Sequence, residues 1–241
     1  MSLHSKITNL KLYKVLLFFI VVAFGAANVR AQEGISETGA WYQYIWSKKI
    51  GDKGWGVNGD FQYRDFEGLG DFQQFIARAA ATYNFKDTPL TVTSGYAYFS
   101  TGTFGESQNT VAEHRLHQDI LLPQKVSEHL YLGHRIRIEE RFIDNQDFRT
   151  RYRYMLAVRV PLNGKGLGQN ALYAMGWSEV FVNGQQDIGD GRRVSLFDRN
   201  WSAIGLGYSF TNKLKLELNY MREITDAYTK GQIIVHVNHT L

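Results

Sequence analysis

The chain has 241 residues, with 27 lysines and arginines, 23 aspartates and glutamates, three prolines and no cysteine. The lack of cysteine excludes a disulfide framework, a thiolate metal site and a cysteine nucleophile. Four basic residues (Lys6, Lys11, Lys14 and Arg30) precede the first acidic one, Glu33, so the rest of the chain carries 23 charges of each sign; that balance excludes the basic face a nucleic-acid-binding domain needs.

Residues 1–31 read as a signal peptide. The lysines form a basic start, an apolar run follows from Val15 to Ala27, and Val29 and Ala31 place small side chains at positions −3 and −1 of a cleavage site. That run falls short of the ~20 residues a spanning helix requires, so cleavage rather than anchoring is expected. Residues 32–241 then form one domain.

From residue 38 onward, period-two alternation recurs between breaks rich in Gly, Asn and Asp. The candidate strands are 38–47, 55–66, 71–86, 89–101, 111–123, 128–143, 148–162, 169–182, 195–211, 213–224 and 230–241. Regularly spaced strands with turn signals indicate an all-β sandwich or barrel. Many of these runs reach 12 to 16 residues, against ~5–6 for strands in soluble sheets and ~9–11 for a tilted membrane strand. Aromatics make up 14% of the chain and gather near strand ends (Trp41, Tyr42, Tyr44, Trp46 and Trp55 around the first turn; Tyr96, Tyr98 and Phe99 in the fourth run), as interfacial girdles do. The breaks at 102–110, 144–147, 183–194 and 225–229 are expected on one rim, and those at 85–87 and 211–213 on the other. The expected fold is a single antiparallel transmembrane β-barrel. Bacterial barrels have an even strand number, so eleven runs suggest twelve strands, with one hidden near 32–40 or 183–195, or ten.

Three consecutive runs carry the chemistry. Glu113, Arg115, His117 and Asp119 share one face of the fifth, opposite Leu116, Ile120 and Leu122. Arg135, Arg137, Glu139 and Arg141 share one face of the sixth, opposite Ile136, Ile138 and Phe142; Arg149, Arg151, Arg153 and Arg159 share one face of the seventh. In a membrane barrel the apolar face meets lipid and the charged face lines the lumen. Two readings of this cluster stand side by side. Guanidinium groups bind carboxylate and phosphate through paired hydrogen bonds, which suits a track for small anionic solutes. Alternatively, the charges pair among themselves and stiffen a narrow lumen. Eight arginines against Glu113, Asp119 and Glu139 leave a positive excess.

Other chemistry is thinner. His117 and Asp119 with Ser178 or Ser202 form a conceivable nucleophile–base–orienter set for an outer-membrane lipid-hydrolysing or lipid-modifying enzyme, but no nucleophile-elbow motif is present. His114 and His117 fall on opposite faces of one strand. Gly205 and Gly207 lack a third glycine and a following helix, and read as sites of close packing. No metal or other cofactor is expected.

Taken in order, several segments resemble a known family. They are Glu113 to Arg115 with Gln118, His134 to Phe142, Arg151 to Tyr154, Val160 to Asn163, Glu179 to Phe181 with Asn183, Phe197 to Asn200, Gly205 to Tyr208, and Leu216 to Leu218 with Tyr220. Together they resemble the uncharacterised family known as domain of unknown function 2490. That resemblance implies a barrel in the outer membrane of Gram-negative bacteria and carries no established activity or catalytic residues. The expectation is therefore an outer-membrane barrel with an arginine-rich lumen, structural or porin-like, with a lipid-acting enzyme as the alternative. Its partners would be outer-membrane lipids, the barrel-assembly machinery during biogenesis and small anionic solutes.

Overall fold

The computed structural model describes residues 38–105 and 109–241. The expected leader, residues 1–31, lies outside them. Eleven strands follow one another: β1 (Gly39–Lys49), β2 (Trp55–Asp65), β3 (Phe72–Asn84), β4 (Thr91–Gly102), β5 (Thr110–Ser127), β6 (Leu130–Ile143), β7 (Arg149–Pro161), β8 (Leu172–Asn183), β9 (Phe197–Ser209), β10 (Leu214–Ile224) and β11 (Thr229–Thr240). Each pairs antiparallel with its neighbours in sequence, and β1 pairs with β11 to close a barrel. Closure leaves no edge with unpaired N–H and C=O groups.

The strand number and one pairing differ from the sequence expectation. Among the described residues the eleven alternating runs are the eleven strands, between the expected ten and twelve (of the stretch 32–40, residues 32–37 lie outside the described residues), and the seam is parallel: Trp41 lies opposite Ile234, Gln43 opposite His236 and Ser47 opposite Thr240. An odd number of up-and-down strands brings the first and last together in the same direction, and a parallel ladder is only slightly weaker per residue than an antiparallel one. No twelfth strand hides in 183–195; within that stretch Asp187 and Arg193 form one isolated bridge.

Alternating strand direction sorts the connections onto two rims. Rim 1 carries residues 50–54, 85–90, 128–129, 162–171 and 210–213; rim 2 carries 66–71, 103–105 with 109, 144–148, 184–196 and 225–228. The breaks expected to share a rim do share rim 2. Gly51 and Gly54 adopt positive φ in the turn from β1 to β2, a conformation open to glycine at no steric cost. On rim 2, the buried Asp65 carboxylate accepts hydrogen bonds from the backbone of Glu67 (2.9 Å), Gly70 (3.0 Å) and Asp71 (3.4 Å), fixing the 66–71 connection.

Period two splits every strand between the two faces of the wall. Outward lie Ile136, Ile138, Tyr152, Tyr154, Val180, Ile204, Leu206, Leu216 and Leu218, all exposed. Outward aromatics touch one another close to both rims: Trp55 with Tyr83 and Tyr208 with Phe210 at rim 1, Phe142 with Phe148 at rim 2. Inward lie nearly all the charges of the strands. Small inward residues make room for large ones: the Tyr173 ring lies against Gly207, where a Cβ would collide with it, as the close-packing reading of that glycine expects.

If the seam is parallel and β1 touches β11 directly, Ser47→Cys combined with Thr240→Cys should form a disulfide in the folded barrel. No other cysteine competes. A strand inserted between them would place the sulfurs ~10 Å apart and block the bond, so an uncross-linked double variant contradicts the eleven-strand closure.

Candidate functional site

The antiparallel register of β5, β6 and β7 sets arginine against arginine. Arg115 lies opposite Arg141, Arg141 opposite Arg149, and Arg137 opposite Arg153. Like charges in directly opposed positions repel, so carboxylates must stand between them. Glu113 accepts two hydrogen bonds from Arg115 (2.5 and 2.7 Å) and two from Arg141 (2.6 and 3.0 Å). Asp119 accepts a bidentate pair from Arg137 (2.5 and 2.7 Å). Glu139 gathers three arginines: Arg151 at 2.6 Å, Arg153 at 2.7 Å and Arg115 at 3.5 Å.

Further acids reach in from other strands of the wall. Glu179 on β8 binds Arg135 (2.7 Å) and Arg153 (2.8 Å). Asp198 on β9 binds Arg151 (2.7 Å) and Arg199 (3.2 Å), and Glu223 on β10 binds Arg199 (2.7 Å). Asp198 and its neighbour Arg199 both serve the network because the β8–β9 register shifts between Phe181 and Val182; an irregularity of this kind re-aims a side chain. Glu217 on β10 accepts from the Tyr173 hydroxyl (2.9 Å) and pairs with Arg159 (3.3 Å) and His236 (3.4 Å). Across the lumen, Asp60 on β2 holds Arg78 on β3 (2.7 Å).

Aromatic rings fill the gaps between the ion pairs. The Arg64 guanidinium sits 3.8 Å over Trp41, which meets Trp201 edge-on at 5.0 Å; Trp201 meets Phe181 at 4.5 Å, and Arg153 lies 4.2 Å over Phe181. On the far side Arg115 lies 3.6 Å over Phe99. Cation–π contacts of this kind strengthen where water is excluded. Together with Glu139, these residues form a belt that joins β2, β1, β9, β8, β7, β6, β5 and β4. At rim 2, burial and the adjacent Glu223 push the Tyr228 phenol up to about 12, which keeps it protonated as the donor to Glu223 at 3.4 Å.

The packing is dense. Glu139 and Glu179 are 1% and 2% exposed, and Arg115, Arg137, Arg141, Arg149, Arg151 and Arg153 are all between 5% and 7%. What remains open is a cavity of about 760 Å³ lined by these charges and by Trp41, Trp177 and Trp201. Among the described residues, eleven arginines line it, and eight carboxylates line it or pair with them. Nine of those arginines meet a carboxylate within 4.0 Å; Arg64 and Arg149 do not.

All twelve side chains singled out from the sequence (Glu113, Arg115, His117, Asp119, Arg135, Arg137, Glu139, Arg141, Arg149, Arg151, Arg153 and Arg159) face this interior. Sequence reasoning missed Asp60, Arg64, Arg78, Glu179, Asp198, Arg199, Glu217 and Glu223. Their signal was modest: Glu217 is a single acid between Leu216 and Leu218, and Glu179 one between Ser178 and Val180. The conceivable catalytic set does not come together. His117 and Asp119 line the lumen, whereas Ser178 and Ser202 lie on the outer face, bonded to each other (3.0 Å) and to Asn200; the wall separates them. His114 likewise faces outward and His117 inward.

The model of a family described as protein of unknown function (DUF2490) matches residues 38–233, from just before β1 into β11. No curated protein and no solved structure matches the chain.

Glu139 binds three arginines, more than any other acid of the network, so Glu139→Gln should destabilise the folded barrel by about 3–5 kcal/mol, the cost of leaving buried arginines without their counter-charge. Arg159→Gln, at the half-exposed end of the network, should cost about 1 kcal/mol. Urea unfolding of the two variants in detergent measures the difference; equal costs would mean the network is not the buried unit described here.

Proposed function

Since the chain belongs to the DUF2490 family, whose description carries no activity, we propose a function from the geometry: an outer-membrane β-barrel whose lumen is held shut by its own arginine–carboxylate network, a rigid membrane scaffold rather than an open pore. The observation that carries this reading is the burial of the lumenal charges. Side chains around a wide aqueous channel present much of their surface to water, and Glu113, Arg115, Asp119, Arg137, Glu139, Arg141, Arg151 and Arg153 present almost none.

The outer face supports membrane placement. An apolar surface that runs around the whole wall far exceeds the few hundred Å² a soluble protein leaves exposed. Strands of eleven residues, at the usual barrel tilt, cover on the order of 27 Å, close to the ~25 Å apolar band of outer-membrane barrels. Several polar side chains on this face pair within the protein. Tyr44 bonds His239 (2.9 Å), Tyr96 bonds His114 (2.5 Å) and Tyr154 bonds His134 (2.9 Å), and Ser178, Asn200 and Ser202 close a ring of hydrogen bonds. Such pairing is what a lipid environment demands. The partners on this reading are outer-membrane lipids and, during biogenesis, the barrel-assembly machinery. Rim 2, which carries the longest connection, 184–196, faces outward. A lipid-acting enzyme needs a base within reach of an outer-face serine, and no feature of the wall favours that alternative.

Two measurements test the proposal. In planar bilayers the protein should show no steady conductance; a stable open-channel current contradicts the closed lumen. Ile138→Arg, placing charge on the outer face, should destabilise the barrel in lipid by ~2–4 kcal/mol if the site lies near the bilayer midplane, while Ile138→Val should change little. Equal tolerance of both would remove the lipid-facing assignment.

A further inference from the structure

Of the two lumenal arginines without a carboxylate, Arg64 is held by Gln62, Gln74 and the Trp41 ring, whereas Arg149 has no side-chain partner among the described residues. It opens β7 at rim 2, is 7% exposed and lines the cavity. Directly opposite stands another arginine, Arg141. No carboxylate among the described residues lies within 4.0 Å of Arg149, and its buried Nε has no hydrogen-bond partner. The nearby acids are already engaged by other arginines. Both Glu113 oxygens are taken by Arg115 and Arg141, and Asp198 is shared between Arg151 and Arg199. In the connection leading into β7, Gln146 also lines the cavity with an unpartnered side-chain amide oxygen. Turned about its last torsion, that amide presents two N–H donors instead.

A buried guanidinium beside a second one, without a counter-charge, is costly, and the fold meets that cost at every other opposed arginine pair by supplying an acid. We propose that Arg149 is the seat of an anion-binding site at the rim 2 mouth of the lumen, which takes the phosphate or carboxylate group of a small solute or of a lipid headgroup. Its planar fork offers two parallel hydrogen bonds to such a group, Gln146 offers a third donor, and the bound charge relieves the repulsion from Arg141. The inference rests on the closed-lumen reading, in which a guanidinium as buried as that of Arg149 has little bulk water to stand in for a counter-charge. The two fail differently: an open pore appears as current, whereas a missing anion site appears as an absent ligand response.

The test uses the mature chain folded in detergent, with inorganic phosphate as probe and chloride at matched ionic strength as the control for screening. Phosphate should raise the melting temperature of the wild-type protein beyond chloride, saturably. Arg149→Gln should weaken the phosphate response by about tenfold or more, the loss of one charge-assisted contact. In phosphate-free buffer the same variant should melt at or above the wild-type temperature, because it removes a repulsive neighbour of Arg141. Arg151→Gln, which breaks pairs with Glu139 and Asp198, should melt lower with or without phosphate. A second arm places the protein in phosphatidylcholine vesicles with and without phosphatidic acid. A response to inorganic phosphate assigns a free solute, and one seen only with phosphatidic acid and lost in Arg149→Gln assigns a lipid headgroup. No phosphate-specific response in either arm, an equal response in Arg149→Gln, or an Arg149→Gln variant as unstable as Arg151→Gln overturns the proposal.

Discussion

Charge buried where water does not reach must be neutralised by neighbours, and this constraint organises the interior of the barrel. Three adjacent strands bring eight arginines to one side of the lumen, six of them at 7% exposure or less. Their own acids, Glu113, Asp119 and Glu139, hold five of them. Arg135 and Arg159 depend on Glu179 and Glu217, two and three strands along the wall. The wall accommodates these reaches by placing small residues inward elsewhere, so that Tyr173 can lie over Gly207 and direct its hydroxyl to Glu217. A buried ion pair adds little net stability compared with an apolar core, yet removing one partner costs much. The arrangement therefore acts less as a source of stability than as a rule about which lumenal changes the fold tolerates.

The odd strand count belongs to the same economy of space. Closing eleven up-and-down strands requires one parallel ladder, and that ladder carries Trp41 and Ile234 side by side into the apolar patch against which Arg64 and Trp201 pack. The seam thus lies behind the aromatic part of the belt, on which Arg64 and Arg153 stack.

Much of this was legible in the sequence, for a definite reason. Strand alternation is local, so the inward set on β5 to β7 follows from spacing alone, and all twelve of its residues face the lumen. The pairing of those residues is not local. Arg159 and Glu217 are 58 positions apart, and their meeting depends on the barrel's circumference and stagger, which no single run encodes. Asp198 turns inward only because of the register shift beside Val182. The positive excess counted on three strands was for the same reason overstated: most of the missing acids sit singly on β8, β9 and β10, where an isolated Glu in an apolar run carries little signal. The strand number was readable as eleven runs. The general preference of bacterial barrels for even numbers pointed elsewhere, because it presupposes antiparallel closure.

The central claim, a lumen closed by paired and dehydrated arginines, is tested most directly by solvent exchange of the arginine side chains themselves. Nitrogen-resolved NMR of the folded protein, transferred into deuterated solvent, follows each guanidinium Nε–H. Those of Arg137, Arg141, Arg151 and Arg153, which donate to buried carboxylates, should persist long after that of Arg192, which is half-exposed on the 184–196 connection. Loss of all five signals at one common rate would mean that water fills the lumen, and would contradict the account.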